Sequence, residues 1–261
     1  LTTDGSNNIS WQSVSSAAGG VTCHGTGNTY AGDDAAQSIT SGATYNTAFG
    51  LCTLYSVTSG DYNAAFGGRA LQANTTGTSN TSIGYDSLKN NTTGAYNVAL
   101  GFAALRETTT GSHNTASGSY AIMSNTTGAC NTAFGWSALC ANTTGYRNAA
   151  FGFRSLWKNT TGLYNTASGF YALGASTTAS YNTAVGYASL YTNTTGAQNV
   201  VLGHGAMYYN TTGCRNTATG YHPLTNNTTG SYNTASGYRA LNNNTTASYI
   251  TAVGMCALYA N

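Results

Sequence analysis

Glycine recurs at one unbroken interval of 17 residues: Gly50, Gly67, Gly84, Gly101, Gly118, Gly135, Gly152, Gly169, Gly186, Gly203, Gly220, Gly237 and Gly254. Counted from the Asn four residues before each glycine, the repeat reads Asn-Thr-Ala-x-Gly-Tyr-x-Ala-Leu-x-x-Asn-Thr-Thr-Gly-x-Tyr. Asn165 to Tyr181 is one unit, with its Asn-Thr-Thr-Gly part changed to Ser176-Thr177-Thr178-Ala179. Two packed helices need a repeat of about 33 residues or more, and Gly, Asn, Thr and Tyr at this density disfavour helix. Each unit is therefore expected to be one coil of an all-β, parallel β-solenoid, or β-roll. Asn-Thr-Ala-x-Gly-aromatic predicts a first strand and the segment around Ala-Leu a second. Asn-Thr-Thr-Gly predicts the turn between them, because Asn and Gly tolerate left-handed backbone. Stacking at about 4.8 Å per coil gives a rod on the order of 60 Å long.

The array divides the chain. Residues 46–261 form the regular repeat, and 28–45 a degenerate first coil whose Asn28-Thr29-Tyr30-Ala31-Gly32 lies 18 residues before the matching Asn46. Residues 1–27 precede it as a β segment or linker. The chain begins at Leu1 without a signal-peptide pattern, and Asn261 falls in mid-repeat, so a longer or processed protein is expected.

In a stacked array, equivalent positions form columns, and the residues a column admits report its surroundings. The third position is almost always Ala (Ala48, Ala65, Ala99 and onward, with Ser82 and Val201), which predicts a tight interior. The ninth runs Leu54, Leu71, Leu88, Leu105, Ile122, Leu139 and on to Leu258, and is the expected hydrophobic spine. Burial of each such side chain is worth roughly 1.5–3 kcal/mol. The fourth position holds Phe49, Phe66, Phe134 and Phe151 among smaller residues, and the sixth holds Phe102, Trp136, Phe153 and Phe170 among tyrosines. Two apolar columns beside the spine exceed what one thin coil covers, so lateral self-association is expected, a trimer first among the possibilities. The Asn columns at positions one and twelve predict amide ladders. The seventh position varies freely, as an exposed column should, and Arg69 and Asp86 lie one coil apart, within reach of a surface ion pair.

Composition excludes several classes of function. Only 5% of residues are charged and the net charge is +2, with the basic residues scattered, which argues against nucleic acid. No stretch approaches the roughly 20 apolar residues of a membrane span. The carboxylates Asp4, Asp33, Asp34, Asp61, Asp86 and Glu107 form no facing pair in shared columns, and no Gly-x-Ser-x-Gly elbow occurs. No enzyme activity and no cofactor are expected. His204 and His222 sit as diagonal neighbours, but no third ligand column accompanies them, so no metal is expected. Cys23, Cys52, Cys130, Cys140, Cys214 and Cys256 contain no CxxC, which leaves disulfides and free thiols equally open. The Asn-Thr-Thr turns at Asn74, Asn91, Asn125, Asn142, Asn159, Asn193, Asn210, Asn227 and Asn244 match the N-glycosylation sequon, although turn chemistry alone selects the same tripeptide.

The phrase Asn-Thr-Ala-x-Gly-x-x-Ala-Leu, as in Asn131 to Leu139 and Asn182 to Leu190, resembles the head repeats of trimeric autotransporter adhesins and related phage tail-fibre-like proteins. The likeness runs from Asn46 to the end, and Leu1 to Trp11 also looks like a β segment found ahead of such arrays. The resemblance implies a left-handed, trimeric β-roll exposed on a cell or virion surface. Adhesin heads, however, use a shorter coil and few cysteines. Three functions follow in order of expectation. The first is a structural component of an extracellular fibre, with coil ends able to continue as a filament. The second is an adhesin or receptor-binding module that recognises glycans or matrix, for which Tyr62, Tyr96, Tyr164, Tyr181, Tyr232 and Tyr249 offer one stacking column. A polysaccharide-cleaving tailspike comes last.

Overall fold

The computed structural model describes residues 2–3, 9–10, 22–24, 27–40 and 42–261. Strand β1 (Thr2–Thr3) pairs antiparallel with β2 (Ile9–Ser10), while the rest of the 1–11 β segment, Trp11 included, lies outside the described residues. Strand β3 (Thr22–His24) pairs antiparallel with β4 (Asn28–Ala31). From β4 onward the array is a parallel β-solenoid with one three-residue strand per repeat, from β5 (Thr47–Phe49) to β17 (Thr251–Val253), stacked in sequence order. Like positions pair with like: Ala133 faces Ala150, and Phe134 faces Phe151. The one-residue offset of the first coil is real, since β4 places Thr29 opposite Thr47.

Each strand from β5 to β17 buries only its middle residue, because successive side chains point to opposite faces. The third-position column is accordingly interior: Ala65, Ala99, Ala133 and Ala167 are all 0% exposed. Only a small side chain fits where the opposite wall stands so close. That wall is the ninth-position column, in which every residue from Leu54 to Leu241 is 0% exposed.

The segment around Ala-Leu is not the second strand the composition predicted. Positions seven and nine both take left-handed backbone, as at Arg69 (φ 58) and Leu71 (φ 51), and two such residues flanking an Ala turn the chain instead of extending it. Left-handed backbone costs a residue with a Cβ roughly 1–2 kcal/mol, which complete burial of a leucine offsets. The turns still join the coils. The Leu54 N–H donates to the Ala70 carbonyl of the next coil at 3.0 Å, and the Arg69 N–H donates to the Leu51 carbonyl of the preceding one at 2.8 Å.

Two buried amide columns close the coils, the one at position one running unbroken from Asn46 to Asn233 and the one at position twelve interrupted at Thr108 and Ser176. Asn63 Nδ2 donates to the Gly77 carbonyl 14 residues on, at 2.9 Å, tying the start of its coil to the end. Asn63 also donates from its backbone and side chain to Asn46 Oδ1 in the coil before, both at 3.0 Å. Position twelve does the same within its turn: Asn91 Nδ2 donates to the Gly94 carbonyl at 3.0 Å and to Asn74 Oδ1 at 2.8 Å. These amides occupy a closed interior where an unpaired polar group would cost about 1–3 kcal/mol. Ile250 ends the first ladder: its N–H still donates to Asn233 Oδ1 at 3.0 Å, but it offers no amide onward.

Candidate assembly surface

The outer face of the sheet is made by the first and third residue of every strand. The third is the repeat's fourth position, where Phe66, Ile83, Phe134, Phe151 and Leu202 are 37–44% exposed, a range shared by Leu100. Phe49 stacks on Phe66 with ring centres 5.5 Å apart, and Phe134 on Phe151 at 5.6 Å. Across the glycine column stands the sixth position. Trp136, Phe153, Phe170, Tyr187, His204, Tyr221 and Tyr238 form an unbroken pile, with successive centres 4.8–5.6 Å apart. Tyr85 and Phe102 continue it at 6.0 Å. Where Ser119 interrupts the column, Tyr120 reaches across and meets both Phe102 and Trp136 edge-on.

The two columns differ in what they still lack. Sixth-position rings cover one another's faces along the axis, a contact worth about 0.5–1.5 kcal/mol per pair beyond area burial. The strand face carries aliphatic and phenyl groups that turn away from the rod. A parallel sheet normally has both faces covered, and apolar runs such as Phe49 to Leu100, Phe134 to Phe151 and Val185 to Leu202, separated by Ser117 and Ser168, are the kind of exposed surface that marks a contact.

The other sequence-derived sites fall as follows. The nine sequon asparagines, Asn74 through Asn244, have side chains no more than 1% exposed. In Asn142 the Nδ2 group donates to Asn125 Oδ1 at 2.9 Å and to the Gly145 carbonyl at 3.0 Å, so both of its hydrogens are committed. A sugar on that nitrogen would cost Asn142 these hydrogen bonds, and the sequon asparagines serve the turn inside the coil. The tyrosine column at position seventeen is an exposed edge in left-handed backbone, with Tyr62 60% exposed. Cations interrupt it: Arg147 and Arg215 donate to the hydroxyls of Tyr164 and Tyr232 in the coil that follows.

Arg69 and Asp86 form the expected cross-coil ion pair at 2.9 Å. Glu107 accepts from Arg106 Nε and Asn90 Nδ2, both at 2.6 Å, and Asp61 accepts from the Thr44 N–H at 2.7 Å. His204 and His222 are neighbours, with ring centres 5.2 Å apart. Partial burial, then the His204 ring and Arg239, hold the His222 imidazole below its ordinary pKa. Among the described residues, no three His, Cys, Asp or Glu side chains gather as a metal site, and no helix is long and apolar enough to cross a membrane. Cys52, Cys130, Cys140, Cys214 and Cys256 are free thiols, and burial pushes that of Cys140 up.

Fold and surface together define the chain as a parallel β-solenoid repeat protein with a long apolar side. Beyond that class nothing narrows it further: no protein-family model, no curated protein and no solved structure matches the chain.

Proposed function

We propose that this chain is a structural component of an extracellular fibre, built by lateral association of rods through their strand faces into a trimer. The observation that carries the reading is the uncovered outer face of the parallel sheet, with its fourth-position Phe, Ile and Leu side chains partly exposed along the array. A regular stack of coils supplies length and stiffness, because successive coils are hydrogen-bonded through strand and turns, with the amide ladders adding bonds wherever Asn occupies both coils. In-register rods would bring equal heights together, so that each phenyl layer meets its own copy, and closed symmetry of this kind is the usual outcome for identical chains. The resemblance of the repeat phrase to trimeric adhesin heads supports the same reading, a surface-exposed shaft or head without catalysis.

The test is to replace Phe66 and Leu202, 38% and 39% exposed at two heights of the face, by Glu. The doubly substituted chain is expected to keep its β-sheet circular dichroism and to sediment as a monomer, while the unsubstituted chain sediments as an oligomer. An unsubstituted chain that is monomeric throughout the micromolar range would overturn the proposal.

A further inference from the structure

Electrically the sequence is lopsided. All six carboxylates lie at or before Glu107, whereas Arg147, Arg154, Lys158, Arg215 and Arg239 follow it with no Asp or Glu among them. Arg154 is the most enclosed of these cations in aromatic rings. Its guanidinium carbon lies 4.9 Å from the centre of Trp136 and 4.4 Å from that of Trp157, with Phe153 at 5.5 Å and Tyr171 at 5.8 Å. Lys158 Nζ stands 5.4 Å from the other reach of Trp157. Both tryptophans of the array are thus drawn to one arginine, whereas the other arginines of the seventh-position column, Arg69 and Arg239, each face a single ring.

Ring faces compensate the charge of a guanidinium but accept none of its in-plane hydrogen bonds. Arg154 donates one, from Nη1 to the Tyr171 hydroxyl at 2.8 Å. Its Nε is buried without an acceptor, and no carboxylate pairs with it among the described residues. What remains is a cation with spare planar donors, flanked by an exposed Trp136 and a half-buried Trp157. Planar donors match a carboxylate, and an indole face matches the C–H side of a pyranose. We infer that the Trp136–Arg154–Trp157 cluster is a binding site for an acidic sugar, a pyranose bearing a carboxylate, within a polysaccharide chain. The indole of Trp157 stacks against the ring with Trp136 bordering it at its exposed edge, the Arg154 guanidinium takes the carboxylate, and Lys158 adds charge for the neighbouring unit. The cluster comes from repeat positions six, seven and ten, none of them in a strand, so the strand face stays available for assembly.

The experiment is a tryptophan-fluorescence titration with an α-1,4-linked oligogalacturonate, in a Trp11→Phe background that leaves only the two cluster tryptophans. The same oligosaccharide, fully methyl-esterified, is the neutral comparison and needs no mutation. A saturable change is expected with the acid, weakened at least tenfold by esterification, by Arg154→Gln and by Trp157→Leu, and unchanged by Arg239→Gln, whose cation meets a single ring, Tyr238. No saturable change, equal binding of the ester, or equally tight binding of a single-stranded DNA of matched length would overturn the inference. Repeating the titration on the Phe66→Glu, Leu202→Glu chain separates the two readings: failed assembly appears in the sedimented mass, and a failed site in the fluorescence.

Discussion

At the scale of single residues, the glycine that sets the period is required by conformation and by space together. Gly152 has φ +122, and a Cβ there would lie 2.8 Å from the Gly169 carbonyl oxygen. Gly254 has nearly the same backbone, φ +120, but nothing within 4 Å. Gly152→Ala is therefore expected to cost more than about 3 kcal/mol and Gly254→Ala about 1–2, the strain alone, read from urea unfolding. The glycine of the turn is held by its neighbour instead. A Cβ at Gly162 would strike the Ala179 carbonyl oxygen of the next coil and Asn159 Oδ1; Ala occupies this position as Ala179, where the Asn is Ser176, and as Ala247, where Asn244 is kept. A double-mutant cycle is expected to show Asn159→Ser recovering part of the loss caused by Gly162→Ala. His222 gives a pH signature. Its folded pKa lies below the unfolded value of about 6.5, so the unfolded chain takes up the proton first, and stability falls as pH drops below that value. His222→Asn is expected to flatten that slope in melting temperatures taken from pH 7.5 to 5.

At the scale of the coil, the interior columns and the amide ladders could be read from the sequence because a stacked repeat samples each environment many times over. A column that admits only Ala, or only Leu and its isosteres, reports the space it occupies. Backbone conformation leaves no such trace: Leu71 at φ 51 and Leu in a strand look alike in composition, which is why the second strand was expected and a pair of left-handed turns was found. The sequons have two readings for a related reason, since Asn-Thr-Thr also serves the carbonyl that the Asn reaches inside the coil. Glycan analysis by mass spectrometry of folded material is expected to find Asn142 and its eight counterparts unmodified. The Arg154 cluster draws on one consensus position, where Trp136 replaces Tyr, and on two positions that vary freely, and column reading averages such residues away. The only signal was the closeness in sequence of Trp136 and Trp157. Truncation measures how the spine carries the coil: Leu156→Ala, at a fully buried position, is expected to cost about 2–5 kcal/mol, and Leu258→Ala, 50% exposed, less than about 1.

At the scale of the whole molecule, stability is a sum over neighbouring coils, and assembly is set by the side the coils leave uncovered. Rings of both columns stack within the rod, yet on the strand face Phe66, Ile83, Leu100, Phe134, Phe151 and Leu202 remain 37–44% exposed in a single chain. The central claim is that this face seats further copies of the same chain. Sedimentation equilibrium of the purified protein at micromolar concentration tests it most directly. The account predicts three times the chain mass, falling to one chain mass when Phe66 and Leu202 are both Glu; a single-chain mass for the unsubstituted protein, or a trimer that survives both charges, would contradict it.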